Sequence, residues 1–144
     1  MTLSCRTQLA QAQKGIITPQ MQAVADSEFR EAEFIRQGVA AGTIVIPANI
    51  RHRNLIPMGI GRQLKTKINA NIGTSSLSSC PQQELQKLQA AVKYGADTVM
   101  DLSTGENLEH IRAAIIAAAT VPIGTVPIYE LACRANDDEE IDFS

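Results

Sequence analysis

From Lys65 onward the apolar positions change period four times, and the rest of the chain is read from that stretch. Lys65–Gly73, Asp97–Ser103 and Val121–Tyr129 are short β-rich runs bounded by turn residues. Between the first two runs, Leu85, Leu88 and Val92 recur at helical spacing, with Ser79 and Pro81 opening the segment and Gly95 closing it. Between the second and third, Leu108, Ile111 and Ile115 form an apolar stripe, widened by Ala114 and Ala118. Ser103 and Glu106 supply the S-x-x-E capping pattern for that helix. Val121-Pro122 stops it, because the residue before a proline avoids helical dihedrals. Strand, helix, strand, helix, strand with short joins predicts a parallel sheet with right-handed crossovers.

Each predicted strand meets its loop at an unusual residue: Asn71, Met100 and Tyr129, spaced 29 and again 29 positions apart. A βα unit takes about 30 residues. Equal spacing predicts matching places on consecutive strands, at the end that carries the site in a βα barrel. Ile68-Asn-Ala-Asn71 also puts two asparagines on one strand face, where propensity disfavours them and a buried amide needs a partner. Asp101 and Ser103 belong to the same candidate group.

The expected fold class is α/β: the first three βα units of a (β/α)8 barrel-like fold behind a small helical N-terminal region. Residues 1–62 form that region and residues 63–144 the partial barrel. Met1–Gln13 reads as loosely ordered. Thr18-Pro19 starts a helix to about Ala25, and Asp26 and Ser27 cap another from Glu28 to Ala41, with Phe34, Ile35 and Val39 inside and Gly42 after it. Thr43–Pro47 is a short strand, Ala48–Gly61 is irregular, and the acidic run Asn136–Glu140 is a solvated loop.

Composition narrows the classes. At 144 residues the chain is about one domain, and with 3% aromatic residues its core must be aliphatic. A net charge of −2 gives no electrostatic case for nucleic acid, and no apolar run approaches the length of a membrane span. The first residues lack the apolar stretch of a secretory signal. Cys5, Cys80 and Cys133 are far apart, which excludes a local C-x-x-C motif and fits a cytoplasmic protein. His52 and His110 give no metal set, so no metal ligand and no catalytic residue is assigned. Gly59-Ile-Gly61 and Gly73 match no phosphate loop and read as turns. Arg51, His52, Arg53 and Arg62 could hold an anion or form a solvated loop.

Gly15-Ile-Ile-Thr-Pro19, Ile46-Pro-Ala-Asn-Ile50, Lys67-Ile-Asn-Ala-Asn-Ile-Gly73, Tyr94-Gly-Ala-Asp-Thr-Val-Met-Asp-Leu-Ser-Thr-Gly105 and Val121–Tyr129 together resemble phosphomethylpyrimidine synthase, the ThiC family of thiamine biosynthesis. The resemblance runs through nearly the whole chain. It implies a (β/α)8 barrel and a radical S-adenosylmethionine enzyme with a [4Fe-4S] cluster and a divalent metal, zinc. It implies aminoimidazole ribotide as substrate, the hydroxymethylpyrimidine phosphate precursor of thiamine as product, and a homodimer in which one subunit's cluster segment serves the other's site. The family's substrate contacts fall here on Asn71, Met100 and Tyr129. The family pattern departs at Ile50-Arg51-His52, at Ile56-Pro57-Met58 and at Thr74-Ser75. Its Ser-Arg-Gly phosphate motif, metal-binding histidines and C-x2-C-x4-C motif have no counterpart in these residues, so the 144-residue chain alone is expected to be inactive. Two readings stand beside it: a non-catalytic remnant or self-standing α/β binding module with a five-stranded, flavodoxin-like sheet, and a relative making 5-hydroxybenzimidazole.

Three strands of a barrel leave a sheet edge and apolar helix faces without neighbours. The chain is therefore expected to dimerise or aggregate and to bind hydrophobic dyes. A compact monomer near 15.5 kDa by light scattering, without dye binding, would contradict the open-barrel expectation.

Overall fold

The computed structural model describes residues 7–75, 80–104 and 108–134. The chain packs as two compact units, one of Met1–Arg51 with Leu55–Lys67 and the other of His52–Asn54 with Ile68–Ser144.

The first unit holds helices α1 (Gln8–Gln13), α2 (Pro19–Glu28) and α3 (Ala32–Ala40) and strands β1 (Ile44–Val45) and β2 (Ile60–Gly61), which pair antiparallel. The segment expected to be loose contains α1. Its Thr7 hydroxyl accepts from the Ala10 N–H, and Ala12 is fully buried. Arg36 Nη1 on α3 donates to the Ala12 carbonyl at 2.6 Å, so a distant contact holds a helix too short to stand alone. Thr18 and Pro19 open α2 as expected, with Thr18 Oγ1 accepting from the Met21 N–H.

Asp26 and Ser27 lie inside α2 rather than capping α3. The chain reverses at Phe29, whose φ of 55° is left-handed, and the Arg30 N–H closes the turn onto the Ala25 carbonyl. Burial of Val24 and Ala25 carries α2 beyond the polar residues that mimic a cap. The irregular stretch before Arg62 contains β2, which pattern alone did not reveal because both its residues are exposed. Met21, Val24, Ile35, Val39 and Ile44 form the aliphatic core of this unit.

The second unit holds β3 (Asn69–Ile72), α4 (Pro81–Lys93), β4 (Thr98–Asp101), α5 (Leu108–Ala118), β5 (Ile123–Thr125) and α6 (Pro127–Arg134). The strands form a three-stranded parallel sheet in the order β3-β4-β5. This is the mixed α/β arrangement read from the pattern; among the described residues it falls short of a five-stranded flavodoxin-like sheet. Leu88 of α4 and Ile111 and Ile115 of α5 pack on Ile72 and Val99, with Leu85, Val92 and Ile123 at the margin. Leu108 is also buried, but Ala118 is exposed and Ala119 is buried in its place. Ser79, Glu106 and the 136–140 run lie outside the described residues. The Ser103 hydroxyl accepts from the Thr74 N–H.

The third predicted strand is shorter than expected. β5 ends at Thr125, and Tyr129 sits in α6. Val126 precedes Pro127, and a proline is well suited to a helix's first turn, so the apolar run Val121–Tyr129 breaks into strand and helix.

One ionic cluster makes the first unit sensitive to acid. Burial raises the Glu28 carboxyl, but the Lys65 N–H at 2.8 Å and Lys67 Nζ at 2.7 Å outweigh it and hold the group below its ordinary 4.5. A carboxyl lowered on folding contributes its full stability above the unfolded value and loses it as pH falls through the folded one. Glu28→Gln should therefore cost about 1 kcal/mol at neutral pH by urea denaturation. The gap from the parent should close as pH falls below 4.5. A gap that stays constant down the acid limb would show that Glu28 does not act through its charge.

Candidate functional site

Side chains alternate across the parallel sheet, so its two faces separate cleanly. Ile72, Val99 and Asp101 are buried on the face that α4 and α5 cover. Asn69, Asn71, Thr98 and Met100 alternate with them on the opposite face. The register pairs Asn69 with Thr98 and Asn71 with Met100, both across 29 positions.

The spacing does not carry to Tyr129. Met100 pairs with Gly124, and Tyr129 lies five positions later on α6. Asn71 and Met100 are thus brought side by side, while Tyr129 occupies the first turn after β5, 42% exposed, at the same C-terminal end of the sheet. Gly124 gives Met100 its place: a Cβ there would stand 2.9 Å from the Met100 sulfur. The thioether lies across bare backbone, leaving a soft apolar floor beside the Asn71 amide.

The loops at this end are tied together. Gly73 follows β3 with a φ of 156°, and a Cβ on it would meet the Leu102 carbonyl carbon at 2.7 Å and the Ser103 nitrogen at 2.8 Å. Only glycine admits so close a crossing. The buried Thr74 N–H donates to Ser103 Oγ at 3.1 Å, and the Thr104 N–H to the Thr74 carbonyl at 3.0 Å. The Ser103 N–H in turn donates to Asp101 Oδ1 at 3.0 Å. Asp101 Oδ2 faces Arg112 Nε at 3.6 Å in a buried ion pair on the helix side. Asp101 and Ser103, candidates by sequence, therefore join the loops and do not share the open face with Asn71.

A pocket of about 310 Å³ lies beside this tie, lined by Asn71, Ile72, Gly73, Thr74, Lys87 and Leu102. Lys87 Nζ donates to the Gly73 carbonyl at 3.0 Å and pairs with the buried Glu84. Thr98 and Lys87 escaped the sequence reading. Thr98 carried a usable signal, since it stands 29 positions after Asn69, as Met100 does after Asn71. Lys87 gave none, because it sits on the polar side of a helix stripe.

Elsewhere, His52 Nε2 lies 2.8 Å from the Ala119 carbonyl and the Asn54 amide donates to the Ala117 carbonyl, so this loop caps the end of α5. His110 is exposed, as are Arg51, Arg53 and Arg62.

The profile of the radical SAM ThiC family matches residues 7–143. The chain is 55% identical over 135 residues to a phosphomethylpyrimidine synthase of Haloarcula marismortui, covering 94% of this chain and 28% of that protein. It is 56% identical to that of Natronomonas pharaonis over the same shares, and 54% identical to that of Carboxydothermus hydrogenoformans, covering 89% of this chain and 30% of the relative. The chain belongs to the radical SAM ThiC family. It spans less than a third of the length of these curated relatives.

Radical SAM family membership implies S-adenosylmethionine and an iron–sulfur cluster. Such a cluster needs thiolates gathered at one place. Among the described residues no three His, Cys, Asp or Glu side chains stand close enough to hold a metal. Cys80 is a free, partly buried thiol preceding α4, while Cys5 and the Cys133 side chain lie outside the described set. The described residues of this ThiC-family chain do not fit the cluster. No described helix is long and apolar enough to cross a membrane.

The loop tie is testable. Ser103→Ala leaves the buried Thr74 N–H without its acceptor and should cost about 1–2 kcal/mol in denaturant unfolding. The Thr74 amide should also exchange faster with solvent. Unchanged stability and exchange would mean that the tie does not hold the loops.

Proposed function

We propose that this segment supplies part of the substrate site of a phosphomethylpyrimidine synthase, with Asn71, Met100 and Tyr129 as substrate contacts. The observation that carries the reading is the register, which sets Asn71 beside Met100 at the C-terminal end of a parallel sheet in a chain of this family. The whole protein would convert aminoimidazole ribotide to the hydroxymethylpyrimidine phosphate precursor of thiamine, in the cytoplasm and as a homodimer. The three βα units would open a (β/α)8 barrel whose interior is the face bearing Asn71 and Met100. Residues 1–62 would form the region preceding it. S-adenosylmethionine radical chemistry would come from a [4Fe-4S] cluster, with zinc as the divalent metal, and we assign the ligands of both to residues outside those described here.

The roles of this chain's own residues follow from their chemistry. Asn71 offers an amide to a polar ring edge. Met100 packs its thioether against a flat ring, and Gly124 keeps that space clear. The Tyr129 hydroxyl, on the first turn of α6, can donate or accept.

Titration of the full chain with 5-aminoimidazole ribotide tests the assignment. Asn71→Ala and Met100→Ala should each weaken binding about tenfold, and Tyr129→Phe about threefold. Exposed Lys14, far along the chain from the sheet, serves as control, and Lys14→Ala should change nothing. Parent-like binding by Asn71→Ala and Met100→Ala would remove this face from the site.

A further inference from the structure

An exposed asparagine amide in water turns either end to a ligand at little cost, so which end it presents depends on what holds it. Asn71 is held. Asn69 Nδ2 donates to Asn71 Oδ1 at 2.9 Å, two residues along the same strand and on the same face. Asn69 Oδ1 accepts in turn from the Thr98 hydroxyl at 2.9 Å, across the register on β4. The three groups form a relay running one way: hydroxyl to carbonyl, amide to carbonyl. A hydroxyl has one proton to give, and Thr98 gives it to Asn69. With its carbonyl so engaged, Asn69 turns its NH2 to Asn71, and each link polarises the next.

We infer that Thr98 and Asn69 are positioning residues that fix the Asn71 amide with its carbonyl turned inward along the strand, so that Asn71 meets its ligand as a donor. This rests on Asn71 being a ligand contact, as proposed above. The relay ends on Asn71 Nδ2, whose two hydrogens have no acceptor in it. The group that Asn71 takes is then an acceptor: a ring nitrogen lone pair or a carbonyl or anionic oxygen. Met100 beside it, lying over Gly124, flanks that group with a soft apolar surface. A flat heteroaromatic ring with an acceptor on its edge satisfies both.

Isosteric variants of the full chain separate this role from simple support. In Asn69→Asp the carboxylate can only accept, so it draws the Asn71 NH2 inward and turns the Asn71 carbonyl to the ligand. Calorimetric titration with 5-aminoimidazole ribotide should then show binding about tenfold weaker, with Thr98→Val about threefold weaker and Thr98→Ser close to the parent. Melting curves should superimpose on the parent's. In side-chain amide spectra, the ribotide should shift the Asn71 NH2 signals of the parent and leave them unmoved in Asn69→Asp. If Asn71→Ala loses binding while Asn69→Asp and Thr98→Val bind as the parent does, the relay is overturned and Asn71 remains a contact. If the parent does not bind, or Asn71→Ala binds as well as the parent, the contact itself is overturned and the relay's role goes with it.

Discussion

Parallel pairing of β3 with β4 at an offset of 29 residues is the constraint on which the second unit depends. A slip of one residue would send every side chain of one strand to the opposite face. Were β3 the strand that slipped, Ile72 would leave the helix-covered core, and Asn69 and Asn71 would enter it. Burying amides without partners costs more than the sheet's hydrogen bonds return. The aliphatic core and the polar open face therefore demand the same register, and each reinforces the other.

The same offset recurs in the loops. Thr74 meets Ser103 across 29 positions, and the Ile68 N–H meets Asp97 across 29 at the other end. The pairing thus extends beyond the strands at both ends. At the C-terminal end it passes through a crossing so close that only a glycine fits at residue 73. Asp101 buries its carboxylate on the helix side and gives one oxygen to the Ser103 N–H and the other to the neighbourhood of Arg112. A buried charge of this kind is weak evidence of stability, since desolvation offsets most of its attraction. Its use here is directional: it fixes the backbone of the loop that follows β4.

The two faces of this sheet meet different demands. The helix side is packed with aliphatic groups and needs no ligand. The other side carries Asn69, Asn71, Thr98 and Met100, polar or soft side chains that the aliphatic core does not take up. Hydrogen bonds link three of them, from the Thr98 hydroxyl to Asn69 Oδ1 and from Asn69 Nδ2 to Asn71 Oδ1.

The sequence by itself determined the alternation of strands and helices, the apolar stripes of α4 and α5, and the pairing of Asn71 with Met100. Each of these is a local period or a repeated spacing, and a linear pattern carries such signals. It also carried the family resemblance, through runs such as Tyr94–Gly105. Only the tertiary structure decided the rest. Helix α1 stands because Ala12 is buried and Arg36 reaches its carbonyl. Helix α2 outruns its apparent caps because its last turn buries Val24 and Ala25. Tyr129 leaves the strand because the chain turns into α6 after Thr125, so an equal spacing that held for one pair of strands did not hold for the next. Asp101 and Ser103 fell on the loop tie, not beside Asn71, because side chains alternate across a strand and the burial of one face selects which residues each face receives.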